Sequence, residues 1–245
     1  MENTINGISQ ILSNWWTEFR ADFTNNFIDE NRWQFLWKGL LCTLQITFFA
    51  AIIGIVIGFM VALIRTTHMH TGKLRGLEAV CRLYTTVIRG TPVVTQLMII
   101  YYVIFASVNI DKTLAAIIAF GINSGAYVAE IVRSGIMSID RGQIEAGRSL
   151  GFGYVKTMWY IVMPQALKNI LPALANEFIA LLKETSVSGY IATQDLAKAG
   201  DIIQSRTYSA YMPLIAVALI YLVLVVGLTA GVNRLERRLG RSDNR

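Results

Sequence analysis

The sequence EAGRSLGFGYVKTMWYIVMP, residues 145–164, separates two apolar runs of the chain. Its polar first part carries Glu145 and Arg148, and Gly151 marks a turn. An aromatic and aliphatic run follows and ends at Pro164. This arrangement indicates an exposed loop that another protein binds, although an ordinary connection between two helices is the alternative.

The composition of the whole chain indicates which solvent surrounds it. Hydrophobic residues make up 54% of the 245 residues, charged residues only 16%, and the mean hydropathy is +0.48. A chain of this size with so much apolar surface is an integral membrane protein rather than a soluble domain. The net charge of +6 reflects basic residues on one side of the membrane, so no nucleic-acid partner is expected.

Long apolar runs locate the membrane spans. Crossing about 30 Å of hydrocarbon takes roughly 20 helical residues. Four runs are free of charge, and a fifth is interrupted by two prolines, a lysine and a glutamate. The runs are residues 39–64, 90–110, 113–129, 158–182 and 207–233. We therefore predict an all-α integral membrane protein with five transmembrane helices.

The basic residues predict the orientation of these helices. Five spans place the two ends of the chain on opposite sides, and the positive-inside rule favours an N-out, C-in arrangement. The inner segments would then hold Arg65, Lys73, Arg75, Arg133, Arg141, Arg148, Lys156, Arg234, Arg237, Arg238, Arg241 and Arg245. The outer segments would hold Arg20, Arg32, Lys112, Lys198 and Arg206. Residues 239–245 form a basic inner tail that can bind anionic lipid.

The N-terminal segment, residues 1–34, has apolar residues at spacings of three and four. They are Ile8, Leu12, Trp15, Phe19 and Phe23. This spacing places them on one helical face, so we expect an amphipathic helix on the outer membrane surface. Trp33 and Trp37 suit the headgroup boundary before the first span. A loose polar tail is the alternative.

The stretch RLYTTVIRGTPVVTQ, residues 82–96, places a charge beside a helix breaker. A charge such as Arg89 is costly inside a membrane segment unless it faces a cavity or a partner. Gly90 and Pro92 can break the helix and expose backbone groups. The alternative is that Arg89 extends to the inner membrane surface.

Two carboxylates stand out in QALKNILPALANEFIALLKETS, residues 165–186. Glu177 and Glu184 are seven residues apart, so on a helix they share one face about 10 Å apart. Such a pair requires an aqueous cavity, which would be anionic and would suit a basic amino acid. Alternatively, Glu184 lies at the outer boundary, solvated or paired with Lys183.

A third charged group lies in NSGAYVAEIVRSGIMSID, residues 123–140. Asn123 and Ser124 are polar for mid-membrane residues. Glu130 precedes Arg133 by three residues, and at that spacing the two side chains can pair on one helical face. We expect Glu130 to be structural.

Catalytic and nucleotide-binding patterns are not found in the sequence. A P-loop requires a glycine directly before its lysine, and Val155 occupies that place in GFGYVKT. No nucleophile set, HExxH motif or cysteine cluster is present. The chain is therefore predicted to be no enzyme and to bind no metal or cofactor, so that any nucleotide chemistry belongs to another chain.

Residues 145–164 resemble the "EAA" coupling loop of ABC importer permeases, whose pattern is Glu-Ala-Ala, three residues, Gly, nine residues, Ile, any residue, Leu-Pro. The matching residues are Glu145, Ala146, Gly151, Ile161 and Pro164, whereas Gly147 and Met163 replace the second Ala and the Leu. The RGTP element of polar amino acid permeases is similar to Arg89, Gly90, Thr91, Pro92 and Gln96. Their NSGAYxAE and NEFIxLLKxTS segments resemble residues 123–130 and 176–186.

These resemblances cover residues 36–238 and identify the chain as similar to permease subunits of the polar amino acid uptake family. They imply a type I ABC importer permease fold at residues 35–238, with a cytoplasmic coupling loop at 140–156, in the bacterial cytoplasmic membrane. They further imply substrate contacts at Arg89, Gly90, Thr91, Gln96, Glu177 and Glu184 and ATPase coupling at Glu145, Ala146, Gly151, Ile161 and Pro164. An arginine beside a broken helix suits an amino acid carboxylate.

The resemblance also implies partners. A separate ATPase subunit would bind ATP and Mg²⁺, a solute-binding protein would deliver substrate from outside, and a second permease copy or a paralogue would complete a dimer. Transport would proceed by alternating access. A secondary transporter or channel using Arg89, Glu177 and Glu184 as ion or proton groups is the rival hypothesis. Five spans do not form an inverted pair, and no internal repeat supports it.

Overall fold

The computed structural model describes residues 2–240, and every regular element in that range is helical. Most of the predicted basic tail, residues 239–245, lies outside the described residues. The helices are α1 (Glu2–Phe23), α2 (Trp33–Thr71), α3 (Arg75–Gly90), α4 (Val93–Ile99), α5 (Lys112–Met137), α6 (Arg141–Ser149), α7 (Tyr154–Thr157), α8 (Met163–Glu184), α9 (Leu196–Thr207) and α10 (Tyr211–Gly240). Wider π-helical turns extend α4 over Ile100–Ile104 and join α7 to α8 over Met158–Val162.

Three helices are long and apolar enough to cross a membrane: α2, α5 and α10. The bent pair α3–α4 makes a fourth span if its two parts are taken together. Helix α8 contains Lys168, Pro172 and Glu177 and is less apolar than these. Within residues 2–240, length and composition thus support three or four spans. The fifth span and the N-out orientation stay predictions.

Helices α2 and α5 form the centre of the fold and pack closely through small residues. A Cβ atom added to Gly54 would lie 3.0 Å from the Ser124 Cβ, and one added to Gly121 would lie 2.7 Å from the Ile53 Cγ2. Such small residues let two helix backbones approach each other in a bilayer. The GxxxG of Gly54 and Gly58 therefore packs against α5 of the same chain.

The chain breaks between α3 and α4, where the two helices meet at 110°. The predicted break at Gly90 and Pro92 is confirmed. The predicted span at residues 90–110 corresponds to α4 and its π-helical extension, whereas the bent pair that is long and apolar enough to cross a membrane begins at Arg75. Polar side chains along one edge of α3, such as Arg82, interrupt the apolar pattern, while its other edge remains apolar.

Helix α9 closes one end of the fold and packs on α2 and α10. The Asp195 Oδ1 accepts the Lys198 N–H at 2.8 Å and caps this helix, and the Leu196 N–H donates to the Thr43 Oγ1 at 3.0 Å. Asp195 is fully buried, and burial raises the pKa of its carboxyl to about 6. Gly39 makes room for it, since a Cβ there would lie 2.7 Å from the Asp195 carbonyl oxygen.

Candidate functional site

A cavity of about 530 Å³ lies where the end of α3 meets α5 and α8. Its walls combine charged, hydroxyl and amide side chains with small residues. They are Arg89, Tyr127, Glu130, Ile131, Ser134, Gly135, Ser138, Asn169, Ala173 and Glu177. The cavity can therefore hold a small polar molecule and offer it both signs of charge.

Arg89 enters the cavity from the last turn of α3. The helix ends one residue later, so the guanidinium is not enclosed by a following turn. Its central carbon lies 5.5 Å from the centroid of the Tyr127 ring, in reach of a cation–π interaction that orients the planar group. Because an arginine can hold a carboxylate through two parallel hydrogen bonds, this position suits an amino acid carboxylate.

Glu177 enters the same cavity from α8 and is half-buried. The Ser124 hydroxyl of α5 donates a hydrogen bond to the Glu177 Oε1 at 3.0 Å. The bond fixes the carboxylate against α5, so that it faces the space that Arg89 also borders. Two of the predicted substrate residues, Arg89 and Glu177, are thus brought together.

Glu130 also borders the cavity, but it lies between two arginines. Arg65 of α2 hydrogen-bonds to the Glu130 Oε1, and Arg133 donates to the Glu130 Oε2 from Nε at 2.9 Å and forms the ion pair from Nη2 at 2.8 Å. The predicted Glu130–Arg133 pair is confirmed, and Arg65 ties it to α2. Sharing two guanidinium groups leaves Glu130 little capacity for substrate, in keeping with a structural role.

The charged groups around the cavity are of both signs. Around it stand three guanidinium groups, from Arg65, Arg89 and Arg133, and two carboxylates, from Glu130 and Glu177. Glu184 is not among the lining residues: α8 lines the cavity with Asn169, Ala173 and Glu177, and Glu184 is the last residue of that helix. The cavity therefore offers one guanidinium and one carboxylate, Arg89 and Glu177, that are not paired with each other, and a substrate contact of Glu184 stays a prediction.

Gly90, Thr91 and Gln96 do not line the cavity and hold the helix break instead. The Gln96 amide donates to the Ile88 carbonyl at 2.7 Å, to the Thr91 carbonyl at 3.0 Å and to the Thr91 Oγ1 at 2.7 Å. The Asn123 amide of α5 donates to the Gln96 Oε1 at 2.9 Å. These bonds satisfy carbonyl groups freed by the break and fix it to α5. Substrate contacts of Gly90, Thr91 and Gln96 stay predictions.

The predicted coupling loop is a helix followed by a turn. Asp140 caps α6 by accepting the Gly142 N–H at 2.6 Å, and Glu145 and Ala146 lie on the exposed side. Gly147 faces inward, where a Cβ would lie 2.8 Å from both the Thr157 Cγ2 and the Ile161 Cδ1. This close contact explains why a glycine occupies the place of the second alanine.

Gly151 ends α6 in the left-handed region, with φ +80°. The Phe152 N–H donates to the Gly147 carbonyl at 3.0 Å, and the Gly151 N–H to the Arg148 carbonyl at 2.9 Å, so the last carbonyls of the helix are satisfied. Only glycine adopts this conformation without strain.

The exposed surface around this turn combines apolar side chains with charged ones. Leu150 is 73% exposed and Val155 65% exposed. Next to them, a cleft of about 340 Å³ is lined by Glu145, Arg148 and the end of α2. Ile161 packs against Gly147, and Pro164 lies in the first turn of α8, where proline is tolerated. Glu145, Ala146 and Gly151 thus belong to one exposed segment, and Ile161 contacts it at Gly147.

Three side chains of the site were not predicted to meet at a cavity: Tyr127, Asn169 and Arg65. Tyr127 and Asn169 belong to helices, and the sequence of a helix does not show which of its faces lines the cavity. Arg65 is 65 residues away from its partner Glu130. Only the packing of α2 and α8 on α5 shows which of these side chains meet.

A family model and several known proteins match the sequence over most of its length. The family model for the binding-protein-dependent transport system inner membrane component matches residues 54–241. The arginine transport system permease protein ArtQ of Bacillus subtilis (strain 168) is 40% identical over 211 residues, which cover 85% of this chain and 94% of that protein. A putative glutamine transport system permease protein GlnP of Rickettsia bellii (strain RML369-C) is 38% identical over 84% of this chain and 93% of its own length.

A solved structure shows the same fold. The crystal structure of an amino acid ABC transporter with histidines contains a chain that superimposes with a TM-score of 0.79 at 41% sequence identity. The superposition covers 86% of this chain and 98% of that chain. Similarity at this level extends across nearly all of the solved chain.

Proposed function

Because this chain belongs to the binding-protein-dependent transport system inner membrane component family and is an amino acid ABC transporter permease subunit, we propose that it forms the ATP-driven translocation path for polar amino acids. The observation that carries the proposal is that Arg89 and Glu177 border one cavity at the broken helix. Arg89 holds the substrate carboxylate, and Glu177 holds an ammonium or other cationic group. Relatives of similar sequence identity are named for arginine and for glutamine transport, so sequence identity alone does not indicate which amino acid this chain transports.

Basic amino acids are the first substrates to test, because Glu177 is the one cavity carboxylate that is not shared between two arginines. A cationic side chain would offer Glu177 a second partner besides the α-ammonium group. Ser124 keeps the carboxylate oriented toward α5 whichever group it binds. The preference for a basic substrate thus depends on Glu177 alone and no longer on Glu184.

We place the other components around the permease as follows. A separate ATPase, which binds ATP and Mg²⁺, contacts the corner formed by Glu145, Ala146 and the turn at Gly151. A solute-binding protein docks on the outer side, where the connection over residues 187–206 lies in the N-out orientation. A second copy or a paralogue completes the dimer in the bacterial cytoplasmic membrane. ATP-driven movement of the coupling corner alternates access to the cavity.

The substrate site is tested by reconstituting the permease with its cognate ATPase and binding protein in proteoliposomes and measuring ATPase stimulation across the amino acids. Glu177→Gln should lower stimulation by arginine, lysine or histidine about tenfold and by glutamine far less, since one charged hydrogen bond is lost. Glu184→Gln, outside the cavity, is the matched control and should change little. Equal loss for cationic and neutral substrates in Glu177→Gln would contradict charge recognition by this residue.

The coupling corner is tested by co-purification of the ATPase. Glu145→Lys reverses a charge on the exposed side of α6 and should abolish the association while leaving membrane insertion intact. Glu236→Lys makes the same change on the exposed side of α10 and should leave the complex unaffected. Full transport with a retained ATPase in Glu145→Lys would refute the docking role. Uptake without any ATPase would favour the secondary-transporter hypothesis.

A further inference from the structure

The N-terminal helix α1 continues into a short elbow, residues 24–32, before α2 begins. We propose that the aromatic face of α1 lies in the headgroup region of the lipid bilayer, and that the elbow fastens this helix to the connection between α9 and α10. Both parts precede residues 54–241, which the family model matches. The choice of the outer leaflet rests on the orientation in the proposed function, whereas the contact with lipid does not.

One face of α1 is aromatic and open. The Trp15 and Trp16 rings lie 5.5 Å and 5.8 Å from the Phe19 ring, which is 6.5 Å from the Phe23 ring. The rings stabilise one another along the helix, yet Trp15 and Trp16 remain 57% and 54% exposed. On the opposite side lie polar residues such as Asn14. A helix of this kind is stable at a surface that offers apolar atoms on one side and water on the other.

Exposed apolar side chains continue along the chain from the open face of α1 into α2. Large exposed apolar side chains follow one another from α1 to the middle of α2: Leu12, Trp15, Trp16, Phe23, Ile28, Trp33, Trp37, Leu41, Phe48 and Ile55. Helix α2 is one of the apolar helices long enough to span a bilayer, so its exposed face contacts acyl chains. Tryptophan prefers the boundary between acyl chains and water. The occupant of the α1 face is therefore lipid.

The elbow is fastened by a buried amide. Asn26 is completely buried; its Nδ2 donates to the Asp22 carbonyl at 2.8 Å, and its Oδ1 accepts the Thr207 hydroxyl at 2.8 Å. Phe27 packs beside it against Ile203 and Met212. One side chain thus joins the end of α1 to the last residue of α9, and its neighbour fills the space between α9 and α10.

Charged groups hold the shape of the elbow. Arg32 is buried; it donates to the Asn25 carbonyl oxygen and pairs with Glu30 at 3.2 Å. The Arg206 guanidinium of α9 lies over the Phe35 ring at 4.8 Å. Glu30 and Asn31 have φ values of 52° and 55°, a left-handed conformation that non-glycine residues adopt only when contacts hold it. The elbow is therefore a fixed bend rather than a loose linker.

These contacts give α1 two attachments, one to lipid and one to protein. The α9–α10 connection is the last element on the outer side in the proposed orientation. A helix embedded in the headgroups and bonded to Thr207 fixes the depth of that connection relative to the bilayer.

Tryptophan quenching tests the lipid contact. The protein with Trp15 as its single tryptophan, the others being changed to phenylalanine, is placed in nanodiscs with phosphatidylcholine brominated near the headgroup or near the chain end. The matched control carries Asn14→Trp in a protein otherwise free of tryptophan. Quenching of Trp15 by the shallow bromines should exceed that of the control about twofold, and should exceed its own quenching by the deep bromines.

Each other result would overturn the lipid contact. Equal quenching of both proteins would mean that α1 has no preferred face. Emission typical of water, without quenching, would place the aromatic face in solvent. Blue-shifted emission without quenching would mean that another protein covers it. The measurement needs no ATPase and no substrate, so its failure would leave the proposed transport function untouched.

Hydrogen exchange tests the elbow. Asn26→Ala removes the acceptor of the Thr207 hydroxyl, and the amides of residues 203–207 should exchange about tenfold faster, as expected for one lost hydrogen bond. Asn14→Ala, on the exposed side of α1, is the control and should leave α9 unchanged. Identical exchange in the two variants would show that α1 is not fastened to α9.

Discussion

Helices α5 and α10 are both long enough to span a bilayer, but they are used in opposite ways. The most apolar window of α5 has a mean hydropathy of 1.6 and is 72% buried, whereas that of α10 has a mean hydropathy of 2.7 and is 11% buried. The more polar helix is in the centre and the more apolar helix faces outward. In a bilayer the solvent is apolar, so small and polar residues mark the helix that packs and binds.

The largest expected effect concerns the close packing of α2 on α5. A Cβ on Gly58 would meet the Val128 side chain and lie 2.9 Å from the Ala129 backbone nitrogen, which cannot move aside. Gly58→Leu should lower the free energy of unfolding by about 3 kcal/mol. The control is Gly227→Leu in α10, where no described atom lies within 4 Å of an added Cβ, and it should change little.

Both variants are measured by unfolding in mixed micelles of increasing sodium dodecyl sulfate. An equal loss of stability in Gly58→Leu and Gly227→Leu would contradict the distinction between the buried and the exposed helices. That outcome would mean that another protein surface, such as a second copy of the permease, covers α10.

A smaller effect is expected from the ion pairs on α5. Glu130→Gln leaves Arg65 and Arg133 together without their carboxylate, at positions where the side chains are 16% and 29% exposed. We expect a loss of about 2 kcal/mol in stability, less than for a fully buried ion group. Glu236→Gln on the exposed side of α10 should stay within about 0.5 kcal/mol of the wild type. A loss in Glu236→Gln as large as in Glu130→Gln would contradict the distinction.

The smallest effect is expected from the hydrogen bond between Ser124 and Glu177. Ser124→Ala removes one hydrogen-bond donor to Glu177. It should lower the free energy of unfolding by about 1 kcal/mol, or lower the substrate-dependent ATPase stimulation by the equivalent factor. Thr229→Val in α10 removes a hydroxyl of similar size from a helix that does not line the cavity. It should leave stimulation by amino acids unchanged. If both variants behave alike, the Ser124 hydroxyl does not position the carboxylate.

Local features of the site could be predicted from the sequence. Gly90 and Pro92 each disfavour a continuing helix, so the break between α3 and α4 follows from two adjacent residues. Glu130 and Arg133 are three residues apart, which is enough to pair them on any helix. Gly151 lies where α6 must end, and its left-handed backbone agrees with the turn expected there.

Contacts between distant segments could not be predicted, because they depend on how the helices pack. The GxxxG of α2 is compatible with any facing helix, and nothing within it selects α5. The hydrogen bond between Gln96 and Asn123 joins residues 27 positions apart, so nothing in the sequence indicated that Asn123 would occupy the Gln96 side chain. The spacing of Glu177 and Glu184 puts them on one helical face, but it does not reveal where along α8 the cavity ends.

The glycine at 147 has a mechanical consequence. Because α6 touches Thr157 and Ile161 without an intervening side chain, a movement of α6 acts directly on the segment that leads into α8. Ile161 and the cavity residue Asn169 are eight residues apart, or about 12 Å along a helix. A rotation of roughly 10° carried through this contact would therefore displace Asn169 by about 2 Å. That distance is comparable to the length of a hydrogen bond, so a small rotation of α6 would be enough to change which hydrogen bonds Asn169 makes at the cavity wall.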